Sequence, residues 1–291
     1  DETVYMLQVR TDQDSLYKKG LLILEDWAGG ISFDNEEIDK ERGVVESEWR
    51  SRLSPDQRMQ KVYFPKMYYD SRYAKRLPIG SPEIIRNAEY DLFRKFYNDW
   101  YRPELMAVIV VGDVNVDDTE RYIKENFSDI TARATAREKL SNEVPDHKQT
   151  IVSVVTDPEA PFNRLQLLYK HDRQKLEDIV DYKEALTRNI YNGMLNQRLR
   201  EITQQPGAPF IFGYTGYSGD VGELAVYRSF ATLHEDRMME GVERILVENE
   251  RVKRHGFNQT ELDRQKKSLL ESFKRAALES DKTDSRRYAS Q

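Results

Sequence analysis

Cysteine is absent from the 291 residues, which excludes disulfides and thiol catalysis and leaves the redox compartment open. Histidine is scarce, occurring only as the well-separated His147, His171, His234 and His255. No two stand at i, i+4, so no helix can present a two-histidine zinc face. His234-Glu235 begins like H-E-x-x-H, but position 238 is Met and the motif fails; each His reads as a surface or loop residue. The glycines of GYTGYSG (213–219) match neither G-x-G-x-x-G nor a P-loop, and they read as a bent strand or turn with aromatic packing. A G-x-S-x-G elbow is missing too, which removes support for serine hydrolase chemistry. No apolar run reaches the length of a membrane span; MAVIVVG (106–112) is strand length. Basic and acidic residues interleave to a net charge of −6, without the basic stripe that nucleic acid requires. Taken alone, the chain has no complete catalytic constellation, and no catalytic residue is assigned within it.

What is present is a balanced globular composition, 38% hydrophobic and 33% charged, with 17 Tyr and 11 Phe to build cores. The length suggests two domains. The chain opens on DETVYMLQV, which reads as a strand already under way, so the expectation is an excised fragment or a processed product. Strands are expected at Thr3 to Val9, Met106 to Val111, TIVSVVT (150–156), RLQLLYK (164–170) and VGELAVYRSFATL (221–233). Helices are expected from Ser15 to Trp27, about Glu36 to Leu53, Asp56 to Tyr63, Ser81 onward, Asp91 to Trp100 and Asp117 to Phe127. A long one follows from about Lys175 to Thr203, and helical period dominates after Arg237, broken at His255-Gly256. PKMYYDSRYAKRLPIGSPE (65–83) reads as loop. The fold class is α+β, with residues 1–135 and 148–291 as two parts joined by a linker at 136–147.

One stretch poses a question: ERGVVESEWR (41–50) carries Glu41, Glu46 and Glu48. On a helix, Glu41, Val44, Val45 and Glu48 share one face, with the two acids about 10 Å apart along the axis. Burying carboxylates beside valines is costly unless a cation or strong donors meet them. The plain alternative is a solvated helix in which Glu41 pairs with Lys40 or Arg42.

Read with its neighbours, ERGVVESE resembles the E-[RK]-x-x-V-x-x-E segment of the pitrilysin–insulinase family of zinc peptidases, the inverzincins. DETVYMLQV resembles the strand after that family's peptide-binding edge, RLPIGSPEII its loop and helix, and LFRKFYNDWYRPELMAVIVVGDVN its helix and strand ending in a Gly-Asp turn. These four matches stand in family order and cover residues 1 to about 130; the second half resembles the next family repeat more loosely. The phrasing is most similar to bacterial members built from four tandem repeats, each a mostly antiparallel sheet covered by helices.

The resemblance implies zinc held by two His and a Glu, with an H-x-x-E-H segment supplying the His pair and the general base. The last Glu of the segment maps to Glu48 as the metal ligand, and Glu41 maps to the supporting position beside a ligand. The H-x-x-E-H segment would lie upstream of residue 1, so the first repeat is expected to be truncated at its N-terminus. The implied parent is a zinc metalloendopeptidase acting on peptides or small unfolded proteins. This chain alone is expected to be inactive, with zinc absent or weakly bound. Arg198 and Arg200 in LNQRLRE resemble a substrate-holding Arg of a later repeat, but no Tyr follows seven residues on, and both read as structural. Implied partners are peptide substrates and the remaining repeats, with no nucleic acid and no membrane span; bacterial relatives suggest the periplasm or cell envelope. A non-catalytic family subunit acting as a scaffold or peptide-binding partner is the alternative, and an unrelated binding domain a third. An H-x-x-E-H within roughly 80 residues upstream of Glu48 would decide between them.

Overall fold

Helix boundaries follow the capping residues. In the computed structural model, which describes residues 2–131, 137–140 and 142–289, Asp34, Ser54, Ser81, Asn115, Asp178 and Asn258 each cap the helix that follows by accepting a backbone N–H, satisfying donors that a helix start leaves unpaired. Two compact units emerge, both discontinuous in sequence: residues 1–53, 77–141 and 281–291 form the first, and residues 54–76 and 142–280 the second. The class is α+β, as expected. The expected linker falls partly on 136 and 141, which lie outside the described residues.

The first unit contains helices α1 (Asp14–Gly29) and α2 (Asn35–Ser51). The next helix in sequence, α3 (Pro55–Met67), belongs to the second unit, and α4 (Pro82–Asn87), α5 (Tyr90–Trp100) and α6 (Val116–Phe127) return to the first. The α1 helix packs on α6, where the buried Tyr17 hydroxyl donates to Thr119 Oγ1 at 2.8 Å. From α5, Tyr97 donates to the Trp27 carbonyl at the end of α1 and meets the Phe33 ring edge-on. Two expected strands of this unit, Thr3 to Val9 and Met106 to Val111, are not strands. A strand exists only when another segment pairs with its backbone, and among the described residues neither stretch has such a partner. Residues 106–111 keep the alternation of half-buried and exposed positions that suggested a strand.

The second unit is built on an antiparallel sheet of order β1-β3-β2, from β1 (Asn163–Asp172), β2 (Phe210–Gly219) and β3 (Leu224–Leu233). The β1–β3 register runs from Asn163↔Leu233 to Asp172↔Leu224. The FIFGYTGYSG block is β2, with an irregularity between Phe210 and Phe212. One face of the sheet is covered by α7 (Ile179–Thr203) and α8 (Met238–His255), while α9 (Gln259–Leu278) packs on α7. Leu195, Leu199 and Ile202 of α7 meet Phe210, Ala231, Leu233, Ile245 and Val252 in the core. The Asn196 side chain clamps β2 from α7, donating to the Thr215 carbonyl at 2.9 Å and accepting from its N–H at 2.7 Å. The expected strand at 150–156 is not one; Val154 is 84% exposed and no segment pairs with it among the described residues. The expected loop at 65–83 is also corrected. The α3 helix runs through Pro65 to Met67, although Pro65 gives up the bond its N–H would have made one turn back, and Arg72–Lys75 adds a 3₁₀ turn.

Gly241, in the first turn of α8, sits so close to the β2 entry that an added Cβ would lie 2.8 Å from the Pro209 carbonyl and 2.5 Å from Leu233 Cδ2. The backbone carbonyl cannot yield as a flexible side chain would. Gly241→Ala is therefore expected to destabilise the chain by about 1–3 kcal/mol, read as a lower urea midpoint; an unchanged or raised midpoint would contradict this packing.

Candidate functional site

The segment that raised the question is helical throughout and lies within α2. Asp34 opens the helix by accepting from the Glu36 and Glu37 N–H groups at 2.9 and 3.4 Å. Ile38, Arg42, Val45, Glu46 and Trp49 form its half-buried face. Arg42 reaches across to α4, donating through Nη1 to the Ile85 carbonyl at 2.6 Å and through Nη2 to the Ala88 carbonyl. Its Nε bonds Asp39 at 3.0 Å, and its guanidinium lies 5.6 and 5.2 Å from the rings of Tyr90 and Phe93. A guanidinium at the last carbonyls of a helix answers both unpaired acceptors and the negative end of the dipole.

Glu46 takes the adjacent position on that face. Its side chain is 13% exposed and accepts from Arg50, at 2.7 Å, and from Arg86. These arginines, Arg86 foremost, hold its carboxyl well below the ordinary carboxylate range, at about 2.

The opposite face carries Glu41, Val44 and Glu48, all exposed, with Val44 at 59%. The valine stripe is thus split: Val45 turns inward and Val44 outward. Glu48 accepts from Arg52 one turn on, and its side chain is 46% exposed. Glu41 finds neither expected neighbour, since Lys40 pairs with Glu36 and Glu37 and Arg42 with Asp39. Sequence reasoning missed Arg42 and Glu46. The signal was available in the spacing of Ile38, Arg42, Val45 and Trp49, which marks the packed face.

A catalytic zinc site needs three protein ligands, and among the described residues no group of three or more His, Cys, Asp or Glu could hold a metal ion. The donor set present therefore does not fit a complete zinc site. His147, His171 and His255 are exposed and far apart in sequence. In the second unit, Arg198 forms a fork on Glu261, with Nη2–Oε2 at 2.8 Å, bonds the Gly256 carbonyl at 3.1 Å and stacks over Phe257. Glu261 also closes the capping box of α9 with Asn258. Arg198 thus ties α7 to the α8–α9 turn, while Arg200 is exposed and contacts Gln197 at 3.3 Å.

Residues 87–269 match the family described as peptidase M16 inactive domain. The chain belongs to that family. Glu41 and Glu48 precede the matched stretch. A zinc protease PQQL-like of Arabidopsis thaliana is 33% identical over 213 residues, 72% of this chain and 22% of its own length. The probable zinc protease PqqL of Escherichia coli K12 is 27% identical over 294 residues, covering 100% of this chain and 31% of the relative. The chain thus spans less than a third of these curated relatives. The crystal structure of the first half of the periplasmic protease PqqL from Escherichia coli superposes with a TM-score of 0.88 at 24% identity, covering 97% of this chain and 60% of that one; it carries the fold. The relationship with the pitrilysin–insulinase peptidases drawn from the sequence motifs agrees with these matches. No helix among the described residues is long and apolar enough to cross a membrane.

Depressed by its arginines, Glu46 contributes stability that is present above the ordinary glutamate pKa of about 4.3 and is lost as pH falls through about 2. Glu46→Gln should flatten the acid limb of the stability profile over that window, measured by denaturation at stepped pH. Superimposable acid limbs would show that the two arginines do not hold this carboxylate in the fold.

Proposed function

We propose that this chain is part of a zinc-dependent metalloendopeptidase of the PqqL type, to which it contributes one metal ligand, Glu48, with Glu41 beside a ligand. The observation that carries this reading is the division of labour on α2: Arg42 and Glu46 are committed to packing, while Glu48 and Glu41 stand on the uncovered face. The remaining ligands and the general base come from elsewhere in a longer protein, in keeping with the small share of its relatives that the chain spans. Residues 1–135 then belong to the metal-binding repeat and 148–291 to the next, with 136–147 between them. The substrates are peptides or small unfolded proteins, and the compartment is the periplasm, as for the Escherichia coli relative.

The description of the matched family as inactive supports a second reading, in which the protein is a non-catalytic scaffold or peptide-binding subunit. Both readings meet the same experiment. In the full-length protein, Glu48→Gln should abolish stoichiometric zinc and peptide hydrolysis together, and Glu41→Gln should lower zinc affinity or activity by roughly 10–100-fold. Zinc by metal analysis and cleavage of an unstructured peptide are the readouts. Full activity in Glu48→Gln would refute the ligand assignment, and a wild-type protein with neither zinc nor cleavage would favour the scaffold. The isolated chain should bind zinc weakly and cleave nothing; stoichiometric zinc with cleavage in this chain alone would refute the reading.

A further inference from the structure

Residues 54–76 lie in sequence between helices of the first unit, yet they pack within the second. Several of their attachments are charged. Arg58 forks onto Asp157, with Nε–Oδ2 at 2.6 Å and Nη2–Oδ1 at 2.7 Å, and also reaches Glu159 at 2.5 Å. Arg164 of β1 donates to Asp56 at 2.9 Å, and Lys66 reaches the Val152 carbonyl at 3.5 Å. Beyond α3, Tyr68 and Ser71 are buried, and an aromatic chain runs from Tyr63 through Phe64 and Tyr68 to Tyr73.

Two observations set this segment apart from the rest of the second unit. The main cluster of buried apolar residues, among the described residues, includes none of 54–76. Among the described residues, the buried polar atoms Ser71 Oγ, on the segment, and Arg228 Nε, on β3, have no hydrogen-bond partner, and Arg228 lies 3.9 Å from Asp220. Unmatched buried donors penalise the docked state; the Arg164–Asp56 pair, open to solvent at both ends, holds weakly and is screened by salt, while the Arg58–Asp157 fork sets a nearly buried carboxylate against a guanidinium still 39% exposed. Segments with these properties open at lower free energy than the core around them.

We propose that residues 54–76 form a detachable strap, held on the second unit by charge and released without unfolding its sheet. The inference is independent of the metal assignment. Release would uncover residues that the docked strap protects, and ionic strength is the control.

Hydrogen exchange followed by mass spectrometry on this chain tests it at low and high salt. Strap amides in α3 should exchange about tenfold faster than those of β1, β3 and α7, and raising NaCl from about 0.05 to 0.5 M should speed the strap further while leaving the sheet unchanged. Arg58→Met at low salt should reproduce the high-salt strap rate, and Arg58→Lys should fall between. Equal rates and a shared salt response in strap and sheet would overturn the proposal, as would an Arg58→Met variant whose sheet loosens as much as its strap. Should the variants fail to fold, the strap is integral and the proposal falls; the wild-type salt series supplies an independent reading.

Discussion

The guanidinium of Arg42 fixes what α2 can offer. By answering the Ile85 and Ala88 carbonyls it sets the rotation of the helix about its own axis. With 3.6 residues per turn, committing Arg42 and Glu46 inward obliges Glu41, Val44 and Glu48 outward. A side chain without N–H donors at 42 would leave two part-buried helix-end carbonyls short of a partner, a cost that grows with their burial. The exposure of the two acids is thus a consequence of one cation's commitments and does not arise from the acids themselves.

The same logic separates three carboxylates that a sequence pattern lists side by side. Glu46 is nearly enclosed and shared by two arginines, so its charge is fixed in place across ordinary pH. Glu48 has a single exposed partner one turn away. Glu41 has no ion pair among the described residues. Position on the helix, rather than residue type, decides which acid is structural.

Helices were legible because their determinants are local. The caps at Asp34, Ser81, Asn115 and Asn258, and the Gly256 that ends α8 at φ 65°, can be found within a few residues of each boundary. The strands were legible only where a partner exists nearby in the fold. RLQLLYK and VGELAVYRSFATL pair with one another, whereas Thr3 to Val9, Met106 to Val111 and 150–156 carry comparable apolar patterns without a described partner. Composition reports that a segment can pair, and the long-range partner that decides whether it does is invisible in a local window. The site divides in the same way: the helix and its two outward acids could be read from spacing, but the grip of Arg42 on α4 joins residues more than forty positions apart.

The availability of Glu48 follows from magnitudes. An exposed ion pair one helical turn long is worth roughly 0.3–0.5 kcal/mol, so Arg52 commits Glu48 only weakly. Freeing Glu46 would mean breaking contacts with two arginines, one of them contributed by α4. If any carboxylate of this segment is to be lent to a ligand without disturbing the packing of α2, it is one on the uncovered face. Of those, Glu48 lies in the last turn, where the helix presents its negative end and an added cation is favoured over an anion.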